Sequence, residues 1–285
     1  MDVDSTLVLA RWGYFLSVMI LFGSALFPFY ALNKTTTLAQ ALLPRGVNLA
    51  LALAALAFAS MWLGSFAAGL AGDEGILEAL RGVLLETGFG PVWIVRLSLA
   101  LVLLGASLGG RPGVVAGTAL LMLTCEGWQG HAAAWGVAAS LTQAVHVAAA
   151  GAWIGGLVPL GRGIVSARRN PAMVAEIVTA LRRFSRFGII AVATIAVTGG
   201  MNTWQMIGGV PNAGDAYGRL LLLKIGLFAA MVGLALYNRY SVDRQMKAEP
   251  ARALRTLSRN VMLEQVLGFV VLLAVSALGL MAPYM

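Results

Sequence analysis

The sequence predicts an all-α membrane protein, a polytopic helix bundle of about eight transmembrane helices. Of its 285 residues 59% are hydrophobic and only 11% are charged, and the mean hydropathy is +0.84. A bilayer core of about 30 Å needs about 20 apolar residues per helix, and eight runs of roughly that length are bounded by charges, Pro or Gly. Soluble domains do not have this composition. Because the connections are short, we expect a single membrane domain over residues 1–285.

The predicted spans follow one another closely along the chain. They are Leu7–Leu32, Val47–Ala71, Gly90–Leu108, Gly113–Gln129, Val137–Leu160, Phe184–Ile207, Gly218–Asn238 and Val261–Ala282. The first lacks a preceding basic residue and a small-residue cleavage site, so we interpret it as a retained helix and not as a signal peptide. Apolar residues at helical spacing over 76–84 predict an interfacial helix on the outer surface. Asn170 followed by Pro171 predicts the start of a helix that continues into the sixth span.

Basic residues are distributed unevenly between alternate connections. All but five of the 20 Lys and Arg follow odd-numbered spans, the five being Arg11, Arg81, Arg96, Arg219 and Lys224. Cytoplasmic loops are enriched in Lys and Arg, so we expect both termini to be periplasmic. The net charge of +8 then indicates contact with anionic membrane lipid and not with nucleic acid.

The sequence contains two histidines, and both lie in or beside predicted spans. His131 is at the outer end of span 4, and His146 is inside span 5. Ionisable residues within a membrane are functional candidates because their burial is costly. Met122, Cys125 and Glu126 have the spacing of one helical face below His131. Thioether, thiolate and imidazole ligands suit Cu(I), and carboxylate favours Cu(II), so all five residues are candidate copper ligands.

Each candidate also has a structural interpretation. Met and Cys in apolar helices usually pack against neighbours, and a single histidine is usually satisfied by a nearby hydroxyl or carbonyl group. Glu126 could pair with Arg11 or Lys224. Arg96 and Lys224 could extend to the outer surface along their own stems, or one of them could balance Glu126. His146 is predicted to lie about 9 Å below the outer boundary, so one metal could bind both histidines only if the segment 130–139 dips inward.

Segments around and beyond the histidines carry a recognisable pattern. They read GHAA at 130–133, HVAAAGAWIGGLVPL at 146–160, RFSRF at 183–187, TGGMN at 198–202 and YGRLLLLK at 217–224, with Asn238-Arg239 and Glu264 further on. This pattern resembles the copper resistance protein D (CopD) family of bacterial inner-membrane proteins, mainly over 128–285 and more loosely before that. The resemblance implies a multi-pass protein that transports or accepts copper, as Cu(I) or Cu(II), from the periplasmic side. It also implies a periplasmic CopC-like copper-binding partner.

Two other functions fit two membrane histidines. They could be axial ligands of a haem in a membrane cytochrome or reductase, although their unequal depths argue against a shared haem. The chain could also be a scaffold that binds no metal and assists assembly of a copper enzyme. It lacks a nucleotide-binding glycine loop, and we expect no enzymatic activity. Trp153, on the same helical face as His146, is expected to form the floor of the site.

Overall fold

The chain folds into helices joined by turns. The computed structural model describes residues 4–33, 44–73 and 75–282, and within its helices the side chains at 131, 132, 241–243 and 247 lie outside that description. No strand occurs in these described residues. The all-α class predicted from composition is confirmed.

Eleven α-helices occur in the described part of the chain. They are α1 (Ser5–Ala31), α2 (Arg45–Leu70), α3 (Ile76–Leu85), α4 (Gly90–Leu108), α5 (Pro112–Thr124), α6 (Gly130–Ala134), α7 (Val137–Arg169), α8 (Val174–Ile207), α9 (Ala216–Tyr237), α10 (Asp243–Ala248) and α11 (Pro250–Leu278). Turns of 3₁₀-helix cover Cys125–Trp128 and Pro171–Met173, and a π-helical turn covers Asn238–Val242.

The long helices account for the predicted transmembrane spans. Among the described residues, seven helices are long and apolar enough to cross a membrane: α1, α2, α4, α7, α8, α9 and α11. The remaining predicted span corresponds to α5, which has 13 residues, and the four-residue 3₁₀ turn after it. Together these two elements extend for roughly 28 Å, close to the thickness of the hydrocarbon core. The polytopic helix bundle is confirmed.

Helices α1 and α7 form the centre of the bundle. The most apolar stretches of α1 and α7 are 67% and 61% buried inside the protein, compared with 11% for the most apolar stretch of the segment that includes α9. They cross where Gly23 faces Gly155, and a Cβ on either glycine would collide with the backbone of the other helix. The Ser24 hydroxyl also donates to the Gly155 carbonyl at 3.5 Å. Small residues are needed here because they let two membrane helices approach closely.

Apolar side chains cover the outside of the bundle. Leu101 of α4 and Ile190 and Val197 of α8 are more than half exposed, which is expected of surfaces that contact hydrocarbon. The predicted amphipathic helix is present as α3, with Val83 buried and Leu77 exposed. The predicted helix start at position 170 is also confirmed, because the Asn170 side chain accepts a hydrogen bond of 3.1 Å from the Ala172 amide.

Candidate functional site

A cavity of about 540 Å³ lies between α1, α7, α8, α9 and α11, and we call it the histidine cavity. Its wall includes Arg11 near the start of α1, Met206 near the end of α8 and Leu278 at the end of α11. The cavity therefore lies at the end of the bundle where the described chain begins and ends. His146 of α7 and Trp153 line the same cavity, in agreement with the prediction that they share one helical face.

The imidazole of His146 is fixed by a hydroxyl group on the neighbouring helix. Its Nδ1 lies 2.9 Å from Oγ1 of Thr198, and that hydroxyl lies 2.6 Å from the carbonyl oxygen of Thr194. Since a hydroxyl has one proton and donates it to the carbonyl, Thr198 accepts a hydrogen bond from Nδ1–H. The neutral ring then carries its lone pair on Nε2, the nitrogen available to a metal ion.

A glycine on α8 gives the imidazole its space. A Cβ added to Gly199 would lie 3.2 Å from Cε1 of His146, closer than most side-chain contacts. Gly199 directly follows Thr198, so the residue that orients the ring and the residue that makes room for it are consecutive in α8. The start of the segment 198–202 therefore determines how the His146 ring is placed.

Three thioether sulfurs also belong to the wall of the histidine cavity. They come from three different helices, as Met19 of α1, Met206 of α8 and Met231 of α9. Met19 and Met231 are almost fully buried. The phenol of Tyr217 lies 3.5 Å from the sulfur of Met206. Thioether and imidazole ligands in one cavity are a combination suited to Cu(I).

Two cations line the histidine cavity in addition. Arg11 lies close to the backbone at Gly279, where an added Cβ would collide with its guanidinium, and its buried Nε has no hydrogen-bond partner among the described residues. Lys224 of α9 is also part of the wall, so its side chain lies inside the bundle. The alternative in which Lys224 balances Glu126 is not seen, because Glu126 has a different partner.

Glu126 forms a buried ion pair with Arg96. Nη2 of Arg96 donates to Oε1 of Glu126 at 2.5 Å, and both side chains are almost completely buried. The Arg96 guanidinium lies over the rings of Tyr14, Trp62 and Trp93 at 4.7 to 5.1 Å, so cation–π contacts also hold it. The expectation that Arg96 extends to the surface is wrong. The alternative expectation, that it balances Glu126, is confirmed.

The single α-helix that was predicted to carry Met122, Cys125 and Glu126 ends before Cys125. The α-helix ends at Thr124 and the chain continues as a 3₁₀ turn, so the angle between successive side chains changes at Cys125. Met122 is fully buried, Cys125 is half-buried, and neither is part of the described wall of the histidine cavity. Glu126 does reach that wall, but its charge is balanced by Arg96.

His131 lies in the short helix α6, and its side chain lies outside the described residues. The residues around it place this helix at the cavity, because Gln129, Gly130 and Trp135 all belong to the wall. Part of the segment 130–139, whose inward dip would be needed for one metal to bind both histidines, therefore contributes to the wall of the cavity. Within the described part of the chain, no group of three His, Cys, Asp or Glu side chains is arranged to hold a metal ion.

A second cavity of about 600 Å³ lies at the opposite end of the same helices, and we call it the glutamate cavity. Its wall includes Arg182 near the start of α8, Asn238 after α9 and Glu264 of α11. Trp153 lines both cavities and packs edge to face against Phe228 of α9, with ring centroids 6.0 Å apart. These two rings stand between the cavities, so Trp153 is the floor of one and the roof of the other.

Comparison with known sequences agrees with this architecture. The family described as "Copper resistance protein D-like, N-terminal domain" matches residues 1–140, and the family described as "Copper resistance protein D" matches residues 178–278. No solved structure matches the chain.

Curated relatives match along nearly the whole chain. Copper resistance protein D of Pseudomonas syringae pv. tomato is 30% identical, with 99% of this chain and 98% of the relative covered. The inner membrane protein YebZ of Escherichia coli (strain K12) is also 30% identical, with 98% and 99% covered. The copper transport protein CutJ of Bacillus subtilis (strain 168) is 28% identical over 62% of this chain and 37% of its own length. The chain therefore belongs to the copper resistance protein D family and is a multi-pass inner-membrane protein.

Proposed function

We propose that this protein accepts copper in the histidine cavity, carries it across the inner membrane, and binds the ion through Nε2 of His146. The observation that carries the proposal is the pair of hydrogen bonds at Thr198, which leaves Nε2 as the basic nitrogen of the ring. An imidazole that is held in one orientation beside a cavity can bind a metal ion without first losing rotational freedom. Transport, and not catalysis, is the proposed activity.

Cu(I) fits the cavity better than Cu(II). The thioethers of Met19, Met206 and Met231 are soft ligands that prefer Cu(I). The carboxylate on the described wall, Glu126, already pairs with Arg96, so it adds little negative charge. Arg11 and Lys224 repel a divalent ion more strongly than a monovalent one. The proposed ligand set therefore replaces the predicted sulfurs of Met122 and Cys125 with sulfurs from other helices.

The sulfurs provide a route from His146 towards the aromatic floor. Met19 packs beside Gly151, and Met231 packs beside Gly268 in the same place as Ile154. These positions on α7 are about 7.5 and 12 Å further along the helix than His146, at 1.5 Å per residue. A Cu(I) ion that leaves His146 thus meets thioethers at increasing depth. Exchange between neutral soft ligands avoids stabilising the ion too strongly at any one position.

Copper is proposed to arrive from a periplasmic carrier of the CopC type. Two features support this direction. The histidine cavity lies at the end of the bundle where α1 begins and α11 ends, and the distribution of basic residues predicts that end to be periplasmic. The short helix α6, which contains His131, lies beside the cavity, and in this proposal His131 is the first ligand that the incoming ion meets.

Copper uptake into proteoliposomes that hold a Cu(I)-sensitive dye tests the proposal. We expect His146→Ala to reduce uptake to the level of protein-free liposomes, because the fixed ligand is lost. Thr142→Ala is a matched control, since Thr142 lies one turn earlier on α7, does not line the histidine cavity and bonds only the carbonyl of Ala138 among the described residues. Uptake by the His146→Ala protein at the wild-type rate would contradict the proposed role of this cavity in copper transport.

A further inference from the structure

A carboxyl group is buried in the half of the bundle that the proposed copper site does not use. Glu264 of α11 is 2% exposed and belongs to the wall of the glutamate cavity. The amide nitrogen of Asn238 donates to its Oε1 at 2.8 Å. The amide of Asn260 in turn donates to the Asn238 carbonyl oxygen at 2.7 Å. This chain of amides fixes the carboxyl group at the cavity wall.

No described cation pairs with Glu264. Of the basic side chains on the same wall, Arg239 donates to the Ser185 hydroxyl at 2.8 Å. Among the described residues no donor reaches Oε2 of Glu264. An ionised carboxylate without a cation is unfavourable inside a membrane protein. A cation from solution is therefore needed to compensate its charge.

The wall around Glu264 is formed by α7, α8, α9, α11 and the π-helical turn. The residues of α7 and α9 on this wall are apolar, and the amide of Asn260 on α11 donates to Asn238 and not to Glu264. The polar and charged groups of the wall come from α8 and the π-helical turn: Arg182, Ser185, Arg186, Asn238, Arg239 and Tyr240. No sulfur or imidazole occurs among the described residues of this wall. Cu(I) prefers such soft ligands, so the chemistry of the glutamate cavity fits a proton and not copper.

We propose that Glu264 is a proton-binding site facing the side of the membrane opposite to the histidine cavity, and that its protonation is coupled to copper movement. The proton comes from water in the glutamate cavity and adds to Oε2, converting the carboxylate to a neutral carboxylic acid. The coupling rests on the proposed copper transport, whereas the protonation of Glu264 does not. Proton-binding carboxyl groups inside membrane helices are a common feature of transporters.

The aromatic pair between the cavities gives the coupling a physical route. Trp153 and Phe228 separate the copper ligands from Glu264. Helix α9 carries both Lys224 and Phe228, and it leads directly into Asn238, which bonds Glu264. Loss of the negative charge on Glu264 weakens its bond with Asn238, so protonation changes the support of the helix that holds Phe228. The aromatic pair of Trp153 and Phe228 is thereby connected to Glu264 through α9 and Asn238.

Infrared difference spectroscopy of the full chain in lipid tests the proton site directly. We expect a carboxylic-acid C=O band that changes with the pH of the medium, is lost in Glu264→Gln and remains in Glu249→Gln. Glu249 is a suitable control because it is exposed and bridges Arg252 on the surface. If the wild-type protein shows no such band, or if the band persists in Glu264→Gln, the proposal is wrong whether or not copper is transported.

Proteoliposomes that contain both a pH dye and a Cu(I) dye test the coupling. We expect copper uptake by the wild-type protein to change the lumenal pH, and Glu264→Gln to lose this pH change while His146-dependent copper binding remains. Copper uptake without any pH change in the wild-type protein would overturn the coupling and leave the proposed function intact. Absence of copper uptake would instead refute the proposed function, and the infrared band would still decide the proton site.

Discussion

At the scale of single residues, Thr198 is the partner that gives His146 its orientation. Replacing Thr198 with Val keeps the shape of the side chain and removes the hydroxyl that accepts from Nδ1–H. Loss of a partner that orients a metal-binding histidine typically weakens metal affinity roughly 10- to 100-fold. We expect this decrease in Cu(I) affinity for Thr198→Val in a competition titration with a chelator. Thr198→Ser, which keeps the hydroxyl, should bind nearly as well as the wild type, and equal affinities for all three proteins would exclude the positioning role.

The pair of Arg96 and Glu126 is predicted to stabilise the fold and not to bind copper. Replacing Arg96 with Met leaves a buried carboxylate without its cation, which typically costs about 3–5 kcal/mol. Unfolding in detergent should show this loss of stability. The double variant Arg96→Met, Glu126→Gln should recover much of it, because no buried charge is left unpaired. A double variant that is no more stable than Arg96→Met alone would contradict this explanation.

The sequence identified some of the site residues but not their partners. His146 could be selected because an imidazole within a span is rare and costly, and a hydroxyl partner was among the expected alternatives. Met19 and Met231 could not be selected, because methionines in apolar helices usually have packing roles. Their contribution depends on how α1 and α9 are placed around one cavity. A single sequence does not contain that information in its local pattern.

At the scale of elements, the length and hydropathy of the helices were predictable, and one change of helix type was not. The periodicity of 122–129 fits a continuous α-helix, yet the chain adopts a 3₁₀ turn from Cys125 to Trp128. Gly127 packs directly against the carbonyl of Ser140, so contact with α7 determines the local geometry. In this arrangement Met122 and Cys125 do not line the described wall of the histidine cavity, and their role as sulfur ligands stays a prediction.

The crossing of α1 and α7 leads to a prediction about helix packing. We expect Gly23→Ala and Gly155→Ala to destabilise the protein by about 1–3 kcal/mol or more, because a Cβ at either position meets the backbone of the other helix. Gly233→Ala on α9 is the matched control, since a Cβ there has open space. Thermal unfolding in detergent measures the difference. Similar melting temperatures for all three variants would show that the close approach is unimportant.

At the scale of the whole molecule, hydropathy predicted a polytopic helix bundle, because each crossing needs a long apolar helix, and seven of the described helices meet that requirement. The two cavities and the aromatic pair between them could not be predicted, since their walls are formed by residues of several different helices. The family match supports copper resistance or transport as the general role. The orientation of the protein in the membrane is predicted from the distribution of Lys and Arg along the chain.

The asymmetry of basic residues predicts that both termini are periplasmic. Alkaline phosphatase, which is active only outside the cytoplasm, should therefore be active when fused to the C-terminus. A fusion in the connection after α7, at Asn170, should be inactive because several arginines surround that position. An inactive C-terminal fusion on a normally expressed protein would reverse the assigned orientation, and with it the side from which copper reaches the histidine cavity.

We propose that Cu(I) binds in the histidine cavity through His146 and thioether sulfur. X-ray absorption spectroscopy of the purified, Cu(I)-loaded protein tests this ligand set, because it distinguishes nitrogen from sulfur neighbours of the metal. We predict that nitrogen scattering is lost in His146→Ala and that sulfur scattering decreases when Met19 and Met231 are both changed to Leu. Met122→Leu should leave the spectrum unchanged, since that side chain does not line the cavity. A spectrum that is unaffected by His146→Ala, or one whose sulfur component depends on Met122 and Cys125 instead, would contradict the account.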